Sequence, residues 1–354
     1  MKALRLMILF ILGTASAVAL TGMCRFTVRD IGFVDLHGQI YSMEVAPKMG
    51  DILTAKELED LNRLARTSNL KVVGPINPAA ADKRSAHDVN PLDPQPTSEA
   101  NADEPPPASP RTYLLKSAKR ESLLKLGESL PENSGDLLNK ALHSPVRDVM
   151  IAEALQTFAF IVVVDSLDAK RNDEIQRLTI SAQEHLQKLA PQLPRPIEQP
   201  VQVLRIPLER REAERVLMWS LELENLPAEQ AALAVFYGRA KLIAAPLSGA
   251  DITGRALLSQ LALIGQSCEC DTDRDWAAEA SMPHDWSEKN RSAALSALGF
   301  QPDSPMVKSE VVRILARGSD EALPSRDRRI GLENEDLFLG YGEYDLDSGS
   351  AAPT

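Results

Sequence analysis

Along most of this chain, apolar positions that alternate give way to apolar positions that step by three and four, and then alternate again. Residues 25–36 (RFTVRDIGFVDL) and 40–45 carry β-branched and aromatic residues in alternation, the pattern of half-buried strands. Thr54 and Glu57 have the spacing of a capping box, in which the hydroxyl accepts an N–H three residues on and the carboxylate reaches back. Leu58, Leu61, Leu64 and Ala65 then line one face of a helix that Asn69 can end. Residues 70–73 are a short apolar run before Gly74 and Pro75, so residues 40–74 read as strand, helix, strand.

Between residues 75 and 110 the composition changes: nine of the 24 prolines fall there, with almost no apolar side chain larger than Ala. Such a stretch buries too little to order itself and reads as a disordered, Pro-rich insertion. Structure resumes with a strand at 112–115, a turn at 117–120, a second strand at 122–126 and a helix at 134–143 that carries Leu137, Leu138, Ala141 and Leu142. The order recurs about 120 residues later, with a strand at 232–237 (ALAVFY), a turn at Gly238 and Arg239, a strand at 241–245 and a helix through Leu257, Leu258, Leu261 and Ile264. This is an internal repeat at the scale of a domain. Before the second hairpin come a helix at 147–158, an apolar strand at 159–164 (AFIVVV), a helix at 172–189 that Pro191 stops, a strand at 201–206 and a charged amphipathic helix at 209–223.

That order of elements resembles the thioredoxin fold, a central mixed sheet in which a βαβ half is joined through a helix to a ββα half. The stretch FYGRAKLIAAPLSGADITGRALLSQL is similar to the family's terminal hairpin and helix. The resemblance implies an α/β protein of two tandem thioredoxin-like domains, over 24–144 (with the insertion at 75–110) and 145–267. A helical extension at 268–318 and a disordered acidic tail at 319–354 follow. The family's reactive members carry Cys-x-x-Cys between the first strand and the next helix, where the helix N-terminus lowers a thiol pKa. Here residues 166–173 contain no cysteine. The family's cis-proline before the hairpin has a counterpart only in Pro110, because copy two has Gln230, Ala231 and Ala232 there. Both copies therefore read as redox-inactive at the usual position, with no cofactor implied, and a binding or scaffold role rather than an enzymatic one is expected.

The N-terminus supplies an address. Lys2 and Arg5 precede an apolar run from Leu6 that leads to Thr14-Ala15-Ser16-Ala17, the order of a secretory signal. The run extends to Met23, which also permits an uncleaved membrane anchor, and Cys24 closes it as a lipidated cysteine would. Residues 1–23 are thus a signal peptide or anchor, and the chain is expected to be exported, periplasmic or membrane-anchored, with protein partners in the cell envelope. The formal charge of −11 over 354 residues, with no long basic run, speaks against a nucleic-acid partner.

Candidate chemistry is sparse. Cys268 and Cys270 are a possible disulfide, thiol or soft-metal pair, and a bridge from one of them to Cys24 is equally open. This pair supports the alternative function of thiol-disulfide or soft-metal handling, although Glu269 and Asp271 beside it disfavour a thiolate. His37, His87, His143, His185 and His284 are scattered and read as surface or helix-face residues. Asp30, Asp35 and Asp165 end strands, but nothing in the pattern brings them together as a carboxylate pair. Trp276 and Trp286 read as packing residues, followed by helices at 288–298 and 305–316 that form a helical hairpin. In the tail, Phe338, Tyr341 and Tyr344 are the candidate partner-binding residues.

Overall fold

The computed structural model describes residues 25–36, 40–46, 53–74, 110–118, 122–130, 133–193, 195–267 and 282–320. Residues 25–36 do not form the strand that their alternation predicts. Thr27 instead caps a short helix, α1 (Val28–Gly32): its hydroxyl accepts from Asp30 N at 3.2 Å, and the Asp30 carboxylate accepts from Thr27 N at 2.8 Å. This is the same reciprocal cap that Thr54 and Glu57 make. Phe26, Val28, Ile31 and Val34 all lie in the core of the second half of the molecule, so the segment's long-range packing overrides its strand-like pattern.

The first sheet has four strands in the order β2-β1-β3-β4. β1 (Tyr41–Val45) crosses through α2 (Ala55–Leu64) to the parallel β2 (Leu70–Val73), while β3 (Arg111–Ser117) runs antiparallel to β1 and to β4 (Leu124–Ser129). α3 (Ser134–Leu142) follows. β1 alternates buried and half-buried residues: Tyr41, Met43 and Val45 join Leu61, Tyr113, Leu115, Leu137 and Leu138 in one core. One well-covered face is what an alternating strand records.

α4 (Pro145–Glu153) leads into the second sheet. β5 (Ala159–Val164) crosses through α5 (Ala169–Leu189) to the parallel β6 (Val201–Ile206); α6 (Arg215–Ser220) follows. β7 (Ala232–Tyr237) then lies antiparallel to β5, with the two-residue strands β8 (Lys241–Leu242) and β9 (Leu247–Ser248) on its other side, before α7 (Gly254–Ile264). The path β6-β5-β7-β8 repeats the order and sense of the first sheet. β5 and β7 are buried at every position because this sheet is covered on both faces. Ala159, Ile161 and Val163 face one core and Phe160, Val162 and Val164 the other; Leu233, Val235 and Tyr237 divide from Ala232, Ala234 and Phe236 in the same way.

The helix expected over 209–223 is reduced to the single-turn element at Leu208–Arg210 and the short α6. Inside the predicted span, Arg211 and Glu214 turn to partners elsewhere in the chain. α6 joins the two halves: Val216 and Trp219, three apart, enter the first core, while Leu217 and Met218 enter the second. Beyond residue 281, α8 (Glu288–Leu298) starts at Ser287 and stops at Gly299, which takes the left-handed conformation at φ 75°. It lies against residues 154–156. α9 (Pro305–Asp320) runs through Gly318 and places Val307, Val311 and Ile314 in the same core as Phe26, so each helix docks on the second half of the molecule. Among the described residues no helix is long and apolar enough to cross a membrane.

Candidate functional site

The resemblance drawn from the order of elements directs attention to the carboxyl end of β5, where the chain turns into α5. Asp168 caps that helix: its carboxylate accepts from Lys170 N at 3.0 Å and from Arg171 N at 3.3 Å. A carboxylate at this end satisfies first-turn N–H groups and occupies the positive end of the dipole, which are the two features that would activate a thiol. Asn172 fixes the loop, accepting from Ser166 N at 2.9 Å and donating to Ser166 O at 2.8 Å. Leu167 N donates to Ala228 O at 2.8 Å, which brings the loop against the segment before β7.

Arg211 closes what is left. Its guanidinium donates to Asp165 O at 2.6 Å, Leu226 O at 3.0 Å, Pro227 O at 3.3 Å and Gln230 O at 3.0 Å. Burial lowers its pKa, with Asp165 and Glu229 acting in the opposite direction. These bonds tie together three segments, that of Arg211 itself, the end of β5 and the loop before β7. The exposed Leu167 side chain is the large apolar group left at the rim, at 63% exposure.

A second polar cluster sits where α1, the β7–β8 turn and residues 282–286 meet. Gly238 has a φ of +54°, and a Cβ there would lie 2.4 Å from the carbonyl carbon of Gly32, so glycine is required both by conformation and by close approach. Arg239 N donates to Gly32 O at 3.0 Å. The Arg239 side chain, 5% exposed, donates through Nε to His284 Nε2 at 3.3 Å, reaches Asp303 at 3.4 Å and Asp35 at 4.0 Å, and stacks over Trp286 at 5.2 Å. His284 is 1% exposed, and its Nδ1 lies 3.1 Å from Met282 O. Nδ1 therefore carries the proton and Nε2 accepts from Arg239. Burial first, and the Arg239 charge second, lower the His284 pKa to about 3. His284 is thus a neutral buried residue rather than the surface residue its sequence context suggests.

Asn69, instead of ending α2, pairs with the same segment: its side chain donates to Met282 O at 3.0 Å and accepts from His284 N at 2.9 Å, while its N donates to His284 O at 3.2 Å. Arg147 completes the join, with bonds to Ala141 O at 2.6 Å, Pro283 O at 3.1 Å, Lys140 O at 3.0 Å, His143 O at 2.7 Å and Ser144 Oγ at 2.8 Å. Ser144 Oγ in turn donates to Glu214, whose pKa burial raises against the pull of Ser144, Val146 N and Arg147.

Asp30, Asp35 and Asp165 do not form a carboxylate pair: each faces its own arginine, Arg195 at 3.0 Å, Arg239 at 4.0 Å and Arg205 at 2.6 Å. His143 pairs with Asp148 at 2.8 Å, and His185 Nδ1 lies 2.8 Å from Ser181 O on its own helix. Trp286 packs against Phe33, with ring centroids 6.2 Å apart. Cys24, Cys268, Cys270, Phe338, Tyr341 and Tyr344 lie outside the described residues, as do His37, His87 and Trp276. Among the described residues no group of three or more His, Cys, Asp or Glu is placed to hold a metal ion.

The buried Arg147, Arg239 and His284 and the half-buried Arg211 had no signature in the sequence. Arginine in a charged stretch ordinarily marks a solvated face, and only their partners, up to 136 residues away for Arg147, reveal the role. The fold and these sites define a mixed α/β protein of two mixed sheets joined through buried polar bonds. No protein-family model matches the chain, and neither does any curated protein.

Proposed function

We propose that the chain is an exported, non-catalytic binding or scaffold protein of the cell envelope, built on two tandem thioredoxin-like units. The observation that carries this reading is the carboxyl end of β5, where the Asp168 carboxylate holds the start of α5 and Arg211 bonds four carbonyls. A reactive dithiol works at such a helix start because free N–H groups and the dipole favour a thiolate; a carboxylate in that place removes both advantages. The same strand order in the two sheets supports duplication of one unit, and the bonds of Asn69, Arg147 and α6 between the halves favour a fixed platform. The basic start and apolar run before Ala17 support export, and the aromatic residues of the acidic tail, Phe338, Tyr341 and Tyr344, support partner binding there.

The test is reduction of a model disulfide by the dithiol-activated protein, beside a Cys268→Ser, Cys270→Ser double variant. Equal background rates are expected for both. Turnover that vanishes in the variant would replace the scaffold reading with thiol-disulfide chemistry at that pair. Mass spectrometry of the native mature N-terminus checks placement, and an intact Met1 in a soluble cytoplasmic fraction would overturn export.

A further inference from the structure

The two sheets end in equivalent parallel strands, β2 and β6, whose outer edges differ. At β2, Val72 N donates to Asn62 Oδ1 at 3.0 Å, Asn62 Nδ2 donates to Val72 O at 3.0 Å, and Leu70 N donates to Ser68 Oγ at 3.2 Å. Side chains thus close that edge against a further strand. At β6, Pro200 O accepts from Phe158 N at 2.8 Å, so the alternate residues Gln202 and Leu204 turn their backbone groups to β5. Those of Val201, Val203 and Arg205 therefore point outward. Gln183 Nε2 donates to Val201 O at 2.8 Å. Among the described residues no strand pairs with this edge, and no side chain bonds the backbone of Val203 or Arg205.

An apolar strip lies along the open edge. Two α5 residues reach β6 on either side of Val203: Gln183 holds Val201 O, and Gln176 Oε1 accepts from Arg205 Nη1 at 3.4 Å. Ile180, between them on the helix, therefore stands beside Val203, between them on the strand. Both side chains are exposed, Ile180 at 48% and Val203 at 36%. We propose that this edge is the interface with a second copy of the chain, β6 pairing antiparallel with its own counterpart about a two-fold axis at Val203. In that register the two Val203 residues exchange both N–H···O bonds, and Val201 of each copy faces Arg205 of the other. Both α5 helices lie on one face of the joined sheet, with Ile180 against Ile180. A second copy fits better than an unrelated peptide because α5 is complementary to itself in charge. Asp173, Arg177, Glu184 and Lys188 are exposed along the side that carries Ile180, and among the described residues none of the four forms an ion pair. Antiparallel helices crossing at Ile180 bring Arg177 of one copy beside Glu184 of the other, and Asp173 beside Lys188.

The test is sedimentation equilibrium of the full chain over a concentration series, beside hydrogen-exchange mass spectrometry of peptides covering β6. A dimer is expected, with slower exchange in β6 as the dimer fills. Ile180→Lys and Val203→Lys should each leave a monomer with an unchanged far-ultraviolet circular dichroism spectrum and fast exchange at the outward amides. Arg177→Glu should weaken the dimer about tenfold, and adding Glu184→Arg should restore it, because each reversed charge again meets its opposite. A chain that stays monomeric throughout the series would overturn the proposal, whether its β6 amides exchange fast or are already covered by another segment. So would a dimer that survives both lysine variants, one whose formation leaves β6 exchange unchanged, or one that the second charge reversal fails to restore.

Discussion

Replacing Arg147 by methionine keeps most of the buried stem and removes five donors from the junction of the two halves. The side chain is 1% exposed, and burial lowers its pKa to about 10 against the opposing pull of Glu214, Asp148 and Tyr41. Of its four carbonyl partners, those of Lys140 and His143 bond in partly buried surroundings and can rehydrate, whereas those of Ala141 and Pro283 bond in buried ones. Two orphaned buried carbonyls at about 1–2 kcal/mol each cost about 2–4 kcal/mol. Glu214 also loses its compensating charge, which raises the total toward the 3–5 kcal/mol typical of a broken buried ionic pair, while release of a desolvated guanidinium offsets part of it. The expected loss is about 3 kcal/mol, read from urea denaturation followed in parallel by tryptophan fluorescence and far-ultraviolet circular dichroism. Glu214→Gln in the Arg147→Met background should cost less than it does alone, because the uncompensated charge is then already gone. A loss below about 1 kcal/mol for Arg147→Met, or strict additivity of the two substitutions, would refute the argument that this arginine holds the junction.

Gly238→Ala should destabilise by more than about 2 kcal/mol, since it adds a backbone collision to an unfavourable positive φ. Gly249→Ala, at φ +55° with open space around its Cβ position, should cost only about 1 kcal/mol, and equal melting temperatures for the two variants would refute the close-approach argument. His284 sets a pH dependence: with its folded pKa near 3 and an unfolded value near 6.5, the unfolded chain binds the extra proton between those values. Stability therefore falls as pH drops through 6.5, by at most about 1.4 kcal/mol per pH unit from this group, and levels off below about 3. His284→Gln should flatten the decline between pH 6 and 4.5 in a pH series of denaturation curves, and an unchanged slope would sink the assignment.

Much of the local architecture was legible in the residue pattern because its causes are local. The unbroken apolar runs at β5 and β7, the three-and-four stepping of α5 and α7, the Thr54–Glu57 cap and the Gly299 stop each sit within a few residues of what they specify. Residues 25–36 could not be settled that way. Phe26, Val28, Ile31, Phe33 and Val34 fit either period, and the choice fell to a short helix at Val28–Gly32 because the two clusters they enter are built from residues 154–314. The same limit hid the polar junction. An arginine that bonds a carbonyl 136 residues away, a histidine kept neutral by burial and an asparagine paired to a distant backbone look, in one dimension, like ordinary surface residues. Sequence alone determines where the chain is helical or extended when the signal repeats along the chain. Which charges are taken out of water, and what answers them there, is decided only when distant segments meet, because the cost of burying a charge depends on partners that tertiary structure alone supplies.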